Sequence, residues 1–587
     1  MGENNYNLII LSLSLLTLST FFYRLTRRGY STVKTPCPQS YPLIGNLIGF
    51  LRNRHRYHDW VTDMLSASPT LTFRVNGFLG LSQSICTADP TNIEYILESD
   101  FRNYIKSNRY TSVMQELLGS GIFNSNGLLW ASHRKITGPE FAVVSLKTFI
   151  SDSVQSQLSK SLIPLLLSAG SNTFDLQHVL RKFSFDTICN VVFGADPCIS
   201  FVQAFDEAVE HTSNRFISPF QVVWKLKRFF NIGDERKYKE TIKTLNQFAM
   251  DVIDSKDAQN GCETDRDLLS RFIVFSLDMG FEDEERRNFL RDTIINFVFA
   301  SKDPTSTALT WFFWLLDGHP HCKHMIHKEL SMLTASSPDI RPLNLTFDDL
   351  KSLNYLHAAL SESMRLFPPV PINSRSTVDD DILPDGTFVR KGWFVDYSVY
   401  AMGRMESLWG CDCREFKPER WLNDNGVYQQ AYDPFGYPVF NGGLRLCMGK
   451  DLAYFQMKLV VVAVMHEFEI EVVGGGGTPE RMVDPPYSLS LLLNMKNGLP
   501  VRVKKRQQVA PVMLQEVEDG NLIYLCCFKC VLLRSQKKHN MESTIQVQTS
   551  LVNYIIKSEI LTKICNNYMD KCIIPNRVIF KKCHDKT

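Results

Sequence analysis

The sequence predicts a mainly α-helical protein with a small β region, built as one large globular domain behind an N-terminal membrane anchor. Three observations carry this. Helix-like periodicity recurs over residues 151–258, 281–318 and 451–466, while strand-like alternation is read over residues 69–87. Between about residues 50 and 500 there is no Pro/Ser/Gly-rich linker and no internal repeat that would divide the chain. Leu8 to Tyr23 is apolar or hydroxylated throughout and is followed by Arg24, Arg27 and Arg28.

That first stretch is sixteen residues long, which spans about 24 Å as a helix, somewhat under the roughly 30 Å of bilayer hydrocarbon. The basic flank orients the bulk of the protein to the cytosol. A cleaved signal peptide is the competing reading, but no small-x-small site follows closely. The 15 cysteines are scattered without a short disulfide framework, which fits a reducing compartment. Of 587 residues, 44% are hydrophobic and 21% charged, enough for a sizeable core. Net charge is +2, with +6 from residue 505 onward and −4 before it, so the body lacks the concentrated basic surface that nucleic acid requires.

Thr35 to Asn46 is Pro-rich and predicts a stiff spacer. Strands over 69–87 and a helix over Pro90–Glu98 follow. Trp130 and Arg134 are four apart, on one face of a helix. Residues 151–258 read as core helices, and Asp257–Asp267 as an exposed loop. Phe281–Gly318 reads as a long helix with Pro304 inside it, where the missing N–H and the clash with the Ala300 carbonyl cost about 3 kcal/mol. Glu362 and Arg365 lie three apart in a helix that ends at Pro368-Pro369, and Arg420 follows within Phe416–Trp421. Near the end of the body, Phe440, Gly443, Arg445, Cys447 and Gly449 combine a thiol, a cation and flexible backbone on a turn. A helix follows at once, and its positive end favours a thiolate. A phosphate loop is excluded there, because Leu444 and Asp451 stand where Gly and Ser or Thr are needed. Cys527 and Cys530 form a C-x-x-C without a second pair at zinc-ribbon spacing.

The stretch Phe440, Gly443, Arg445, Cys447, Gly449 resembles the haem-binding loop of the cytochrome P450 family. The resemblance implies the cytochrome P450 fold and haem b with Cys447 as axial thiolate, and no tightly bound flavin or nicotinamide. It implies that Arg445, Trp130 and Arg134, and also Arg375, reach haem propionates. Glu362, Arg365 and Arg420 resemble the family's structural network that locks the Cys loop. Ala300 to Ser306 resembles the oxygen-binding segment, with Ser301 in place of Gly and Pro304 in place of the proton-relay Thr. Asp303 remains as the acid, and Thr305, one position on, or an ordered water is expected to take over the relay. Expected domains are a transmembrane anchor at 1–29, a hinge at 30–46, a haem-thiolate monooxygenase domain at 47–505 and an atypical extension at 506–587. The phrases Leu383–Thr387, Tyr400–Met405 and Leu309–Leu316 resemble the plant subgroup that hydroxylates the ends of fatty acids. This implies O2 as co-substrate, NADPH-cytochrome P450 reductase as partner, a lipid-like substrate and a single-pass endoplasmic reticulum membrane location. Two alternatives stay open: the same chemistry on a jasmonoyl-amino acid or sterol side chain, and a haem-binding protein whose oxygen activation is impaired by Pro304.

Overall fold

The computed structural model describes residues 35–506 apart from 42, 78–82, 143, 219, 259–266, 279, 337–344 and 431–432, together with Ser14 and Thr17. Helices dominate. Among them are α1 (Asn108–Leu118), α2 (Gly127–Ala142), α3 (Leu176–Phe193), α4 (Ile199–Ile217), α5 (Gln221–Phe229), α6 (Asp234–Ala258), α7 (Asp283–Gly318), α8 (Asn354–Leu366) and α9 (Lys450–Glu467), all but α5 and α6 contributing to the wall of the cavity described below. The strands are β1 (Thr72–Asn76), β2 (Gln83–Thr87), β3 (Tyr104–Ile105), β4 (Phe174–Asp175), β5 (Asn373–Thr377), β6 (Asp381–Ile382), β7 (Phe388–Val389), β8 (Phe394–Tyr397), β9 (Phe468–Val472) and β10 (Pro500–Lys505). They form sheets ordered β1-β2-β8-β5-β3, β4-β10-β9 and β6-β7. The strands expected at 69–87 are thus β1 and β2, one edge of a larger sheet whose other members come from residues 104–105 and 373–397.

The 36-residue α7 is the axis of the molecule. Its second half, Ala308–Leu316, is buried all round, as befits a helix apolar on every face. Trp311 stacks on Phe367 at 4.3 Å and donates Nε1–H to the Leu493 carbonyl at 2.6 Å. Along the helix α3 is its main neighbour. α3 starts where Asp175 accepts from the Gln177 amide and stops at left-handed Gly194 (φ 71°), the start and stop chemistry expected of a well-delimited helix. Pro304 lies inside α7, which remains helical on both sides.

The anchor expected over residues 8–23 lies outside the described residues except for Ser14 and Thr17. Among the described residues no helix is long and apolar enough to cross a membrane. The Pro-rich spacer is fixed by more than its prolines: Asn46 donates to the carbonyls of Pro38 (2.9 Å) and Gln39 (3.0 Å), and the Arg74 amide of β1 donates to Pro36 at 2.8 Å. The exposed loop read at 257–267 is overturned at its ends, since Asp257 belongs to α6 and Asp267 is buried against Lys256 at 2.5 Å; residues 259–266, and the extension from 507 onward, lie outside the described residues.

Two buried polar knots tie the body together. In the first, Glu362 accepts from Arg365 (2.7 and 2.8 Å), Arg420 Nε (2.8 Å), the Lys417 amide (3.0 Å) and Trp421 Nε1 (2.9 Å). Burial pushes its carboxyl up, but Arg365 and then Arg420 outweigh burial and hold it below the usual range. In the second, Asp59 accepts from the hydroxyls of Tyr400 and Tyr487, both at 2.9 Å, beside His58, whose two ring nitrogens have no hydrogen-bond partner among the described residues. Burial, then the Arg404 charge, pushes His58 down to about 3.

Arg365→Ala strands the Glu362 charge and should cost about 3–5 kcal/mol in chemical denaturation, whereas Lys391→Ala, at the exposed pair with Asp379, should cost about 1 kcal/mol or less. His58 is neutral in the folded state and takes up a proton near its ordinary value of 6.5 only on unfolding. Below that pH the unfolded state binds more protons, so stability is lost at up to about 1.4 kcal/mol per pH unit until the pH approaches 3. His58→Phe should flatten this fall between pH 6.5 and 4, measured as the denaturation midpoint against pH.

Candidate active site

One cavity of about 1,240 Å³ runs between α7, the sheet and the 440–449 loop. It exceeds the usual range for a small-molecule site. Its surface is mostly apolar, with Phe297, Ala300 and Leu452 among its walls.

The loop that bears Cys447 is shaped by positions only glycine fits. Gly443 has φ 52°, and a Cβ there would lie 2.7 Å from the Leu97 carbonyl; at Gly442 it would lie 2.8 Å from the Phe435 ring. The Cys447 amide donates to the Phe440 carbonyl at 2.9 Å, which closes the loop, and Phe440 packs on Tyr454 at 5.4 Å. Gly449 caps α9. The Cys447 sulfur opens onto the cavity while protein surrounds it on its other sides. Burial raises its thiol; the Gly449 amide, Arg134 and Lys450 pull it down without prevailing. The expected thiolate-favouring helix end is therefore present but outweighed by desolvation in the protein alone. A coordinated cation supplies the charge that would tip it.

Arg445 of this loop stands with Arg375 and Lys106 in a set of cations, Arg375 buried and the other two half-buried. Arg445 lies 4.1 Å over the Trp130 ring and 5.4 Å over Phe101. Arg375 is buried and donates Nη1–H to the Ser374 carbonyl at 2.9 Å, and Lys106 lies 4.2 Å over Tyr110. The Nε atoms of Arg375 and Arg445 have no partner, and among the described residues none of these three cations has an ion pair. Burial, then Arg375, pushes Arg445 down to about 9; burial, then Arg375 and Arg445, pushes Lys106 down. Buried charges of one sign without a counter-ion are costly. The arrangement suits a ligand carrying carboxylates, two of which the cluster could satisfy.

The remaining expected residues separate. Trp130 is a platform for Arg445. Arg134 donates Nη1–H to the Leu446 carbonyl at 2.8 Å, so it braces the Cys loop itself. Glu362, Arg365 and Arg420 do not touch that loop; their link to it is indirect, through Tyr437, which packs on Trp421 at 4.8 Å and donates to the Ser361 carbonyl at 2.9 Å. Asp303 and Thr305 both line the cavity. Asp303 accepts from Arg181 Nε at 3.2 Å and lies 3.6 Å from Lys302, which itself pairs with Asp206 beneath the rings of Phe185 and Phe205. Pro304 has no N–H, so the Ala300 carbonyl, on the cavity wall, lacks its helical donor. Lys106 was not legible in the sequence: its only local mark is its place before Ser107, which caps α1.

A family model described as cytochrome P450 matches residues 35–499. The chain is 40% identical over 489 residues to cytochrome P450 94A1 of Vicia sativa, covering 80% of this chain and 90% of that one. It is 39% identical over 490 residues to cytochrome P450 94B1 of Arabidopsis thaliana, covering 80% and 92%. In fold it is similar to the crystal structure of the cytochrome P450DA heme domain, with a TM-score of 0.66 and 19% identity over 81% of this chain and 99% of that one. With a family model spanning most of the described body, and relatives matched along nearly their whole length, the chain belongs to the cytochrome P450 family of monooxygenases, whose fold implies a haem held through a cysteine thiolate.

Proposed function

We propose that this protein is a haem-thiolate monooxygenase that inserts one oxygen atom into the terminal C–H of a fatty-acyl substrate, with Cys447 as the axial ligand. One observation carries the reading: an open sulfur and a set of unpaired buried cations border the same apolar cavity. The haem supplies dioxygen activation at its iron, using electrons from an NADPH-dependent reductase, with the second oxygen atom leaving as water.

The chain's own residues do the rest. Arg375, Arg445 and Lys106 would hold the haem carboxylates, whose charge would relieve their mutual repulsion. Trp130 supports Arg445 from beneath, and Arg134 fixes the loop backbone beside Cys447. The apolar walls exclude water and hold the alkyl end. On α7, Thr305 Oγ1 lies about 100° round the helix from Pro304 and is the hydroxyl available to pass a proton, with Asp303 behind it. The bare Ala300 carbonyl gives a water an acceptor in the same groove. Asp303 is restrained by Arg181, so proton delivery depends on that pair loosening.

Contact of the body with a membrane surface has support in α5. It leaves Val222, Val223, Leu226 and Phe229 exposed alongside Lys225, Lys227 and Arg228, the composition of a helix lying at a lipid surface. Pro304 favours a second reading, in which the same chain binds haem but turns over slowly.

Pro304→Thr should raise product formed per NADPH consumed by at least about tenfold and lower peroxide release, measured together with dodecanoate; no product above a Cys447→Ala control in either protein would reject the catalytic reading. Arg375→Leu should act in opposite directions on the two states. The haem-free protein gains about 1 kcal/mol or more by losing a buried unpaired charge, while the loaded protein loses haem about tenfold faster to a haem-accepting protein.

A further inference from the structure

The sheet wall of the cavity carries a polar pair that the chemistry above leaves unused. Phe73, Cys86, Asp396 and Ser374 are successive cross-strand partners on β1, β2, β8 and β5. Directly opposed residues share one face of a sheet, and all four line the cavity. Asp396 is a carboxyl set into that face. Burial pushes it up to about 6, against the Ser374 hydroxyl and the Arg109 charge. Arg109, the second residue of α1, lines the same cavity; its Nη2 donates to the Phe216 carbonyl at 3.2 Å, and its guanidinium lies 5.8 Å from the Phe394 ring. Each of the two groups feels the other's charge, yet among the described residues no ion pair joins them.

A cation and a carboxyl that border one chamber without meeting leave a gap for a bridging group. That group must accept from a guanidinium, which only donates, and donate to a carboxylate, which only accepts. A free carboxylate satisfies Arg109 and is repelled by Asp396. An amide satisfies both, through its carbonyl and its N–H. We propose that Arg109, Asp396 and Ser374 form the head-group site of the substrate, and that this head group is a neutral donor–acceptor group, as in a fatty-acyl amide, in preference to a free fatty acid. The proposal rests on the reading of the cavity as an oxygenase's substrate chamber and makes these three specificity-determining residues.

Calorimetric titration of the purified, haem-loaded full chain with dodecanamide and with dodecanoate, at neutral pH, tests it. Dodecanamide should bind more tightly. Asp396→Asn should weaken dodecanamide about tenfold and strengthen dodecanoate, because the repelling charge is gone. Arg109→Gln, at a half-buried position tolerant of the change, should also weaken dodecanamide, and haem absorption verifies that each variant is folded. Tighter binding of dodecanoate to the unaltered protein, or movement of both ligands in the same direction on Asp396→Asn, would overturn the proposal. A chain that hydroxylates alkyl ends yet prefers dodecanoate rejects this site and keeps the proposed function; a chain with the predicted amide preference and no hydroxylated product does the reverse.

Discussion

Positive charge buried without a partner is the constraint from which the rest of this structure follows. Lys106, Arg375 and Arg445 come from three separate parts of the chain and meet at one wall of the cavity, where Arg445 is pushed down to about 9. Proteins do not keep such a cluster at no cost. The haem that the family implies carries two carboxylates and is held through a thiolate; the cluster and the Cys447 loop are complementary to those two demands. The same bound group explains why the Cys447 thiol, raised by burial in the protein alone, is found on a turn with a helix terminus and two cations beside it.

Holding a strained and charged site in place falls to the polar knots around it. Glu362 gathers donors from α8 and from residues 417–421, and Arg365 extends the knot to the carbonyls of Cys413 and Glu415 at 2.6 and 3.0 Å. The Cys loop then rests on this scaffold through Tyr437 and Tyr454. Above the cavity, α7 is buried all round in its second half and interrupted in its hydrogen bonding at Pro304, next to the groove where an oxygen-activating site needs a water or hydroxyl. The charge pairs of Asp303, Arg181, Lys302 and Asp206 lie behind that groove and decide whether an acid can be presented to it.

The sequence makes legible whatever is set by neighbours in the chain. The Cys loop is readable because Gly443 and Gly449 stand where a turn and a helix cap need them, and because the order of thiol, cation and glycine is local. The Glu362–Arg365 pair is readable from helical spacing, as is the common face of Trp130 and Arg134. What else those two residues do was not readable: Arg134 grips a backbone carbonyl 312 positions away, and the Trp130 ring lies under the Arg445 guanidinium. Lys106, Arg109 and Asp396 are unremarkable in sequence. Asp396 gains its neighbours through the register of β2, β5 and β8, and Lys106 and Arg109 follow directly on β3, which β5 pairs into the same sheet; single-sequence periodicity carries no information on that pairing.

The central claim is that one sulfur atom, that of Cys447, holds the iron of a porphyrin within this fold. The most direct measurement is the reduced carbon monoxide difference spectrum of the purified full-length protein. The account predicts a bound porphyrin with the signature of thiolate ligation. A folded protein without porphyrin, or one whose spectrum is that of histidine ligation, would contradict it.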